Sequence, residues 1–504
     1  MIRRSEEVFD MEEKIKKNEG LNISGKTVYG IAAVLVIILF LAGLLTQILP
    51  RGQFALDENG SVIPGTYQEM PDYKLPIWKI AASPALAFTE STAVTGLAII
   101  AIIMLVGGTF LILDKIGVLK YMMAVIVNRF EKQRFVLIAV MTFFGMFLSS
   151  TAGILEESLT LVPIAVAIAL AMGWDSLTGI GMSFVAVAFG FTAATFNPFN
   201  IITVQKLANL QIFSGLWLRL IIFVVVYIAL TAFLILYAKK IEKHPEKSPA
   251  YETDKVVRER YPMDECRKTL AQENVARATK VFVVCLCCVL ASTLLSFAMS
   301  VIGARTGSEV LTTIGGYGSM GCMALFFPIG GLLAGRVSGL RGKNLFKAFM
   351  AGVRTILPVI PLIVFILAIS YVLDKGMIMH TILYKLSSGM QNLSPYVVIL
   401  LMFAFIALLE LFIGSGTAKA FLIVPLMSIL CDLLGVTRQS MVITFCFADG
   451  FTNLLYPTSG MMIIAIGMVG VSYKNWLKWS AKLFLLVGAI SVAFMMLAVA
   501  INYT

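Results

Sequence analysis

Residues Ser415 to Gly460 read SGTAKAFLIVPLMSILCDLLGVTRQSMVITFCFADGFTNLLYPTSG. Almost every window of this stretch is apolar enough for a bilayer core. Yet Ser415, Gly416 and Thr417 stand at one end, and Asn453, Pro457, Thr458, Ser459 and Gly460 at the other. A simple membrane anchor has no use for helix-breaking residues at depth. Non-helical backbone is tolerated there only where it is buried in protein or lines a cavity.

The same design occurs earlier in the chain. Val162-Pro163 precedes Gly173 as Val424-Pro425 precedes Gly435, and Gly190-Phe191-Thr192 echoes Gly450-Phe451-Thr452. Polar breaks follow at Asn197-Pro198 and Tyr456-Pro457, and Leu113-Asp114-Lys115 matches Leu373-Asp374-Lys375. The offset is 262 for Pro163/Pro425 and Gly173/Gly435, 260 for Gly190/Gly450 and 259 for Pro198/Pro457. Chance matches would not hold one spacing along half a chain. The pattern reads as a duplicated unit with interrupted hydrophobic segments in both copies, the best sequence pointer to the binding site of a secondary transporter.

Composition agrees. The 504 residues are 59% hydrophobic and 14% charged, with mean hydropathy +0.90. A soluble chain of this length cannot bury so much apolar surface, so the class is an all-α polytopic membrane protein. The net charge of +11 is read as positive-inside bias, and no nucleic acid partner is expected. The seven cysteines lack metal-ligand spacing, so neither a metal site nor a cofactor is expected. The first 26 residues are polar, with no cleavable signal peptide in view.

Charge orders the spans. Residues 1–26 form a cytoplasmic tail, followed by a first repeat over 27–238. Spans are expected near Tyr29–Leu49 and Thr92–Leu113, with a basic-poor outer loop between them and an interfacial amphipathic helix at Val118–Phe130. Phe135–Leu148 and Leu159–Met172 are each about fourteen residues, roughly 21 Å as helix, short for a core of about 30 Å. With Ser149–Ser158 between them they make a re-entrant hairpin. Leu177–Phe196 then crosses outward and breaks at Asn197-Pro198, and Phe213–Tyr237 returns. Residues 239–280 carry eleven Lys/Arg and are expected to be a solvated cytoplasmic linker. A second, inverted repeat fills 281–504, with spans at Val281–Val301, Ile314–Leu333 and Ile356–Leu373 and an outer amphipathic stretch at Met377–Leu386. Its hairpin comprises Tyr396–Phe412 and Phe421–Leu434, followed by a broken helix from Ser440 and a last span. Two copies of opposite orientation are the architecture of alternating-access carriers.

Hairpin tips and broken helices place helix ends, hydroxyls and amides at depth, where they can hold an anion or a cation. The first tip supplies Ser150, Thr151, Gly153, Glu156 and Glu157. The second supplies Ser415, Gly416, Thr417 and Lys419. The breaks add Thr192, Thr195, Asn197, Asp449, Asn453, Thr458 and Ser459. A mid-bilayer Asp or Lys costs about 2.5–3.5 kcal/mol even on the low insertion scale, so Lys419 and Asp449 need a reason to be there. One reason is substrate or coupling-ion contact; the other is a structural ion pair between them. Glu410 is placed nearer the mouth of its hairpin, in a structural role. No Ser/His, paired-Asp or metal-ligand constellation lies at depth, which argues against an intramembrane enzyme. A channel would not need two broken repeats of opposite orientation.

GSGTAKA (Gly414–Ala420), the run from Asp432 to Gln439, Ala448-Asp449-Gly450-Phe451 and Tyr456-Pro457-Thr458-Ser459 resemble the YfcC-type members of the basic amino acid antiporter (ArcD) family. Gly153-x-x-Glu156-Glu157, Gly173-x-Asp175-Ser176 and Asn197-Pro198-Phe199 resemble the first-half motifs of the same group. The group also carries the name of C4-dicarboxylate anaerobic carriers, within the ion transporter superfamily. The resemblance implies a scaffold plus a mobile transport domain that holds both hairpins, elevator-like motion and a homodimer in a bacterial inner membrane with a cytoplasmic N-terminus. It implies basic amino acid exchange or uptake coupled to Na+ or H+, with a C4-dicarboxylate as the alternative cargo. Lys419 departs from relatives that carry Gln; it suits a carboxylate and sits awkwardly beside a cationic side chain.

Overall fold

A computed structural model describes residues 25–504 apart from 56–62, 64, 71–73, 91, 131, 261–262 and 390–392. Of the tail at 1–26, residues up to 24 lie outside it. The described residues are mostly helical; one antiparallel pairing, Gly52 with Glu69 and Gln53 with Gln68, lies in the first loop.

Helix α1 spans Gly25–Ile48 and α2 Thr92–Lys115; α3 (Val118–Phe130) turns off α2 at 73°. The first hairpin is α4 (Arg134–Ala152), a 3-10 turn (Glu156–Thr160) and α5 (Val162–Ala171). Its α4 stops because Gly153 takes the left-handed conformation (φ 75°) that ends a helix without a Cβ clash. Pro163 sits in the first turn of α5, where its missing N–H costs nothing. Next come α6 (Ser176–Thr192), with a π-turn inside it, and α7 (Leu216–Lys243). Two short linker helices follow, α8 (Tyr251–Arg260) and α9 (Met263–Lys268). The second half comprises α10 (Glu273–Thr306), α11 (Glu309–Val337), α12 (Gly342–Ile356), α13 (Ile360–Gly376) and α14 (Met379–Gly389). It closes with α15 (Pro395–Glu410), α16 (Gly416–Leu434), α17 (Arg438–Gly450), α18 (Gly460–Met468) and α19 (Tyr473–Ala500). Among the described residues five helices are long and apolar enough to cross a membrane, or up to seven if each of two bent pairs counts as one.

Both hairpins return to the end from which they set out. The ring of Phe135, at the start of α4, stacks on Trp174, just beyond α5, with centroids 6.1 Å apart. In the second hairpin a Cβ on Gly435, just beyond α16, would meet Pro395, the first residue of α15, at 3.7 Å. The two mouths lie at opposite ends of α7. Its last turns reach the first mouth, where Tyr237 donates to Asp175 (2.5 Å) and Arg134 pairs with Glu242. The residues leading into it reach the second mouth, where Ser214 accepts from Gln439 at 2.6 Å. Twenty-eight residues of helix, about 42 Å at 1.5 Å each, separate the two.

Elsewhere small residues bring helices together, as membrane packing requires. A Cβ on Gly352 of α12 would fall 2.2 Å from the Gly107 carbonyl of α2, so these two helices touch backbone to backbone.

Three expectations need correction. The hairpin limbs α4 and α16 are 19 residues long, not fourteen, so shortness does not define them. Each runs past its apolar stretch because the polar tip residues themselves are helical. Between the spans expected at Ile314–Leu333 and Ile356–Leu373 the sequence reading placed no helix; α12 stands there, an amphipathic helix bent 48° from α13. The 239–280 linker is not simply solvated. Ser248 donates to Asp175 (2.6 Å), Asp254 accepts from the Ser176 N–H (3.0 Å), and Arg258 donates to the Trp174 carbonyl (2.6 Å). Cys266 is fully buried against Met123, Ala124 and Ala167. The linker has polar groups enough to satisfy the exposed end of the first hairpin, and it docks there.

Candidate functional site

The first tip and the first break form one hydrogen-bonded unit. The Ser150 carbonyl, near the end of α4, accepts from the N–H groups of Thr195 (3.0 Å), Phe196 (3.0 Å) and Asn197 (3.1 Å). These donors are freed where α6 unwinds after Thr192, and a buried donor must find a partner. The Ser150 hydroxyl lies 2.8 Å from the Ala193 carbonyl and 3.0 Å from Thr195 Oγ1. Asn197 donates to the Ser149 carbonyl (3.1 Å) and accepts from Phe199 N–H (2.9 Å), which starts the next turn. Gly153 completes the contact: a Cβ there would sit 2.6 Å from Phe199 Cδ2 and 2.7 Å from Asn197 Oδ1. The Thr151 hydroxyl turns back to the Phe147 carbonyl (2.7 Å). The backbone of Glu156 and Glu157 lies in the turn between the limbs; their side chains lie outside the described structure.

The second tip carries charge. Lys419 Nζ lies 2.7 Å from Asp449 Oδ1 and also pairs with Glu410. The three side chains are at most 2% exposed. Glu410 ends the inbound limb, Lys419 lies in the first turns of the outbound limb, and Asp449 comes from α17. The triad therefore ties both sides of the hairpin to the broken helix. Gly416 lets the tip come this close, since a Cβ there would lie 2.8 Å from Asp449 Oδ2. That contact also puts Asp449 at the positive N-terminal end of α16, which favours the carboxylate. Ser415 caps this helix, accepting from Ala418 N–H (3.3 Å), and is exposed, while Thr417 is half-buried.

The two broken helices meet at Gly450 and Thr192. A Cβ on Gly450 would fall 2.3 Å from Thr192 N and 2.4 Å from its Cα and Oγ1. Asn453, one turn past Asp449, donates to the Asp449 carbonyl (2.6 Å). Thr458 and Ser459 are both buried; Ser459 accepts from Met462 N–H (3.4 Å) to start α18. The structure thus gathers Ser150, Gly153, Thr195 and Asn197 at one tip and Gly416, Lys419 and Asp449 at the other. Thr192 bridges the two sides, and Ser459 serves the restart of its helix.

Glu410 is the residue that sequence reasoning misplaced. It stands at the tip, not toward the mouth, because α15 runs inward until Glu410 and turns only after it. The signal available was position: Glu410 stands four residues before Gly414, where the GSGTAKA run begins.

Several long apolar helices, two helical hairpins and interrupted apolar helices fit a multi-pass membrane transporter. The chain belongs to the C4-dicarboxylate anaerobic carrier (DcuC) family, whose model it matches over residues 29–500. It is 25% identical over 396 residues to the Escherichia coli (strain K12) protein named "Putative basic amino acid antiporter YfcC", covering 77% of this chain and 75% of that one. A Haemophilus influenzae protein described as uncharacterized is 25% identical over 431 residues, 85% and 80% of the two chains. The solved YdaH transporter of Alcanivorax borkumensis aligns with 93% of this chain and 98% of its own, at 18% identity and a TM-score of 0.45.

Proposed function

We propose that this chain is a secondary active transporter of amino acids, working by basic amino acid exchange or uptake. The observation that carries the cargo reading is the Glu410–Lys419–Asp449 triad. Two carboxylates face one ammonium, so the sealed cluster has a net charge of −1 and attracts one further cation. A cargo ammonium or guanidinium meets that demand, as does a coupling Na+ or H+. In this reading Lys419 already has its counter-ions and is not waiting for a substrate carboxylate. The first tip, with Ser150, Thr195 and Asn197, holds the cargo's carboxylate end.

The two hairpin mouths at opposite ends of α7, together with the repeat offset, support two inverted repeats at 27–238 and 281–504 joined by the linker. We assign the hairpins and broken helices to a mobile transport domain and the α1, α2 and α10–α13 helices to a scaffold, moving as an elevator. We place the chain as a homodimer in a bacterial inner membrane, with the N-terminus and the basic linker cytoplasmic.

A second reading has one observation in its favour: the family is named for C4-dicarboxylates. Lys419 would then have to leave Glu410 and Asp449 to meet the cargo. Counterflow in proteoliposomes separates the two. Internal arginine or ornithine should accelerate entry of the labelled counterpart, and Asp449→Asn should abolish it. Acceleration by succinate alone, lost in Lys419→Gln, would move the cargo to dicarboxylates.

A further inference from the structure

We propose that the Lys419 ammonium stands in for a bound monovalent cation: Glu410 and Asp449 form a cation site that the protein fills with its own side chain. The inference rests on reading the second hairpin core as part of the transport site, and it says what kind of site that is. Two carboxylates brought together out of water cannot both stay ionised without a cation between them. In carriers with broken helices such a position is commonly taken by a metal ion that ties several segments together. Here the ammonium occupies it. It reaches Asp449 at 2.7 Å, pairs with Glu410, and is fully buried.

Three features make this more than a surface ion pair. The three groups come from three segments, the two limbs of one hairpin and the broken helix, so the cation holds the tip shut as a coordinated ion would. The tip is shaped for it: Gly416 admits the backbone to within contact of Asp449, and a Cβ there would push on the carboxylate at 2.8 Å. Finally, the first hairpin is tied to its broken helix by hydrogen bonds, from the Ser150 hydroxyl to the Ala193 carbonyl and Thr195 Oγ1, whereas the second is tied by charge.

The consequence is a cation requirement created by removing the lysine. Wild-type protein has one cation built in and a residual charge of −1. Lys419→Met removes that cation, and the two carboxylates can then ionise together only with another cation between them, so Na+ should take the vacated position. The probe is NaCl against choline chloride at equal ionic strength, with thermal unfolding of the detergent-solubilised full chain as readout. Lys419→Met is expected to gain a saturable Na+-specific upward shift of a few degrees beyond any shift in wild type. Lys419→Gln should do the same, and the double variant Lys419→Met/Asp449→Asn should lose the gain. Variants that respond to Na+ no more than wild type would overturn the proposal. So would failure of both single variants to fold even in high Na+, because the metal ion then does not replace the ammonium. The readout involves no transport. A gained Na+ response without counterflow of any cargo would leave this inference standing and remove the cargo reading; the reverse result would do the opposite.

Discussion

Lys419 of α16 lies 2.7 Å from Asp449 of α17, and both side chains are sealed from solvent. The charge count around this pair orders the variants. Asp449→Asn leaves Lys419 with Glu410, a neutral buried pair. Lys419→Met leaves two carboxylates with no cation. Breaking a buried ion pair from one side costs roughly 3–5 kcal/mol, and the lysine variant should lie at the upper end. Thermal unfolding in choline-based buffer checks the order. If Asp449→Asn were the less stable of the two, the charge account would fail.

The crossing of α6 and α17 at Thr192 and Gly450 leaves no room for a methyl group. Gly450→Ala puts a Cβ 2.3 Å from the Thr192 backbone nitrogen, and backbone cannot rotate aside as a side chain can. Overpacking of this kind costs about 1–3 kcal/mol. Because the crossing joins the two broken helices, counterflow should fall with it. Gly488→Ala on α19, where nothing lies within 4 Å, is the control and should be silent. Equal behaviour of the two variants would refute the packing argument.

Gly153 and Gly173 both have positive φ, at 75° and 87°, but differ in surroundings. An alanine at Gly173 meets nothing within 4 Å, so it bears backbone strain alone, about 1–2 kcal/mol. An alanine at Gly153 adds a clash with Phe199 and Asn197. Gly153→Ala should therefore be the more destabilising, and should raise amide exchange over residues 193–199 where Gly173→Ala does not.

The docked linker should respond to pH through Asp254. Burial pushes its carboxyl up to about 7, and the nearby Asp175 adds to the effect. Tyr237 also faces it, and Arg258 and the Ser176 N–H oppose the shift. A raised folded-state value means that the docked linker keeps the proton which the undocked chain releases near pH 4. Docking is thus favoured at low pH and loses a few kcal/mol as pH rises from about 4 to about 7, then levels off. Limited proteolysis of the 243–280 segment should be faster at pH 8 than at pH 5.5, the test pH values being chosen around that window. In Asp254→Asn the difference should shrink; an unchanged difference would locate the pH sensitivity elsewhere.

Much of this architecture is legible in the chain. The helix Val118–Phe130 falls where amphipathic spacing puts it. Asn197-Pro198 and Tyr456-Pro457 mark that two apolar runs are broken, but the helices end earlier, at Thr192 and Gly450. Helix length was less legible. Hydropathy marks where a segment stops being oily, whereas α4 and α16 stop where Gly153 and Ser415 supply a cap, several residues further into the polar tip. The fate of the linker was not legible, because Ser248 and Asp254 look like any solvated polar residues until the end of the first hairpin is placed beside them.

The sequence by itself determined the membrane-spanning class and the places where apolar runs are interrupted, because apolar length, repeat spacing and backbone-breaking residues act locally. It also determined that Lys419 and Asp449 lie in an apolar region and therefore need a reason. Only the tertiary structure decided what that reason is. Partner choice among Glu410, Lys419 and Asp449 depends on where three separate helices end and how closely Gly416 and Gly450 allow them to approach. Those distances are set by packing between segments far apart in the chain, and no local spacing records them.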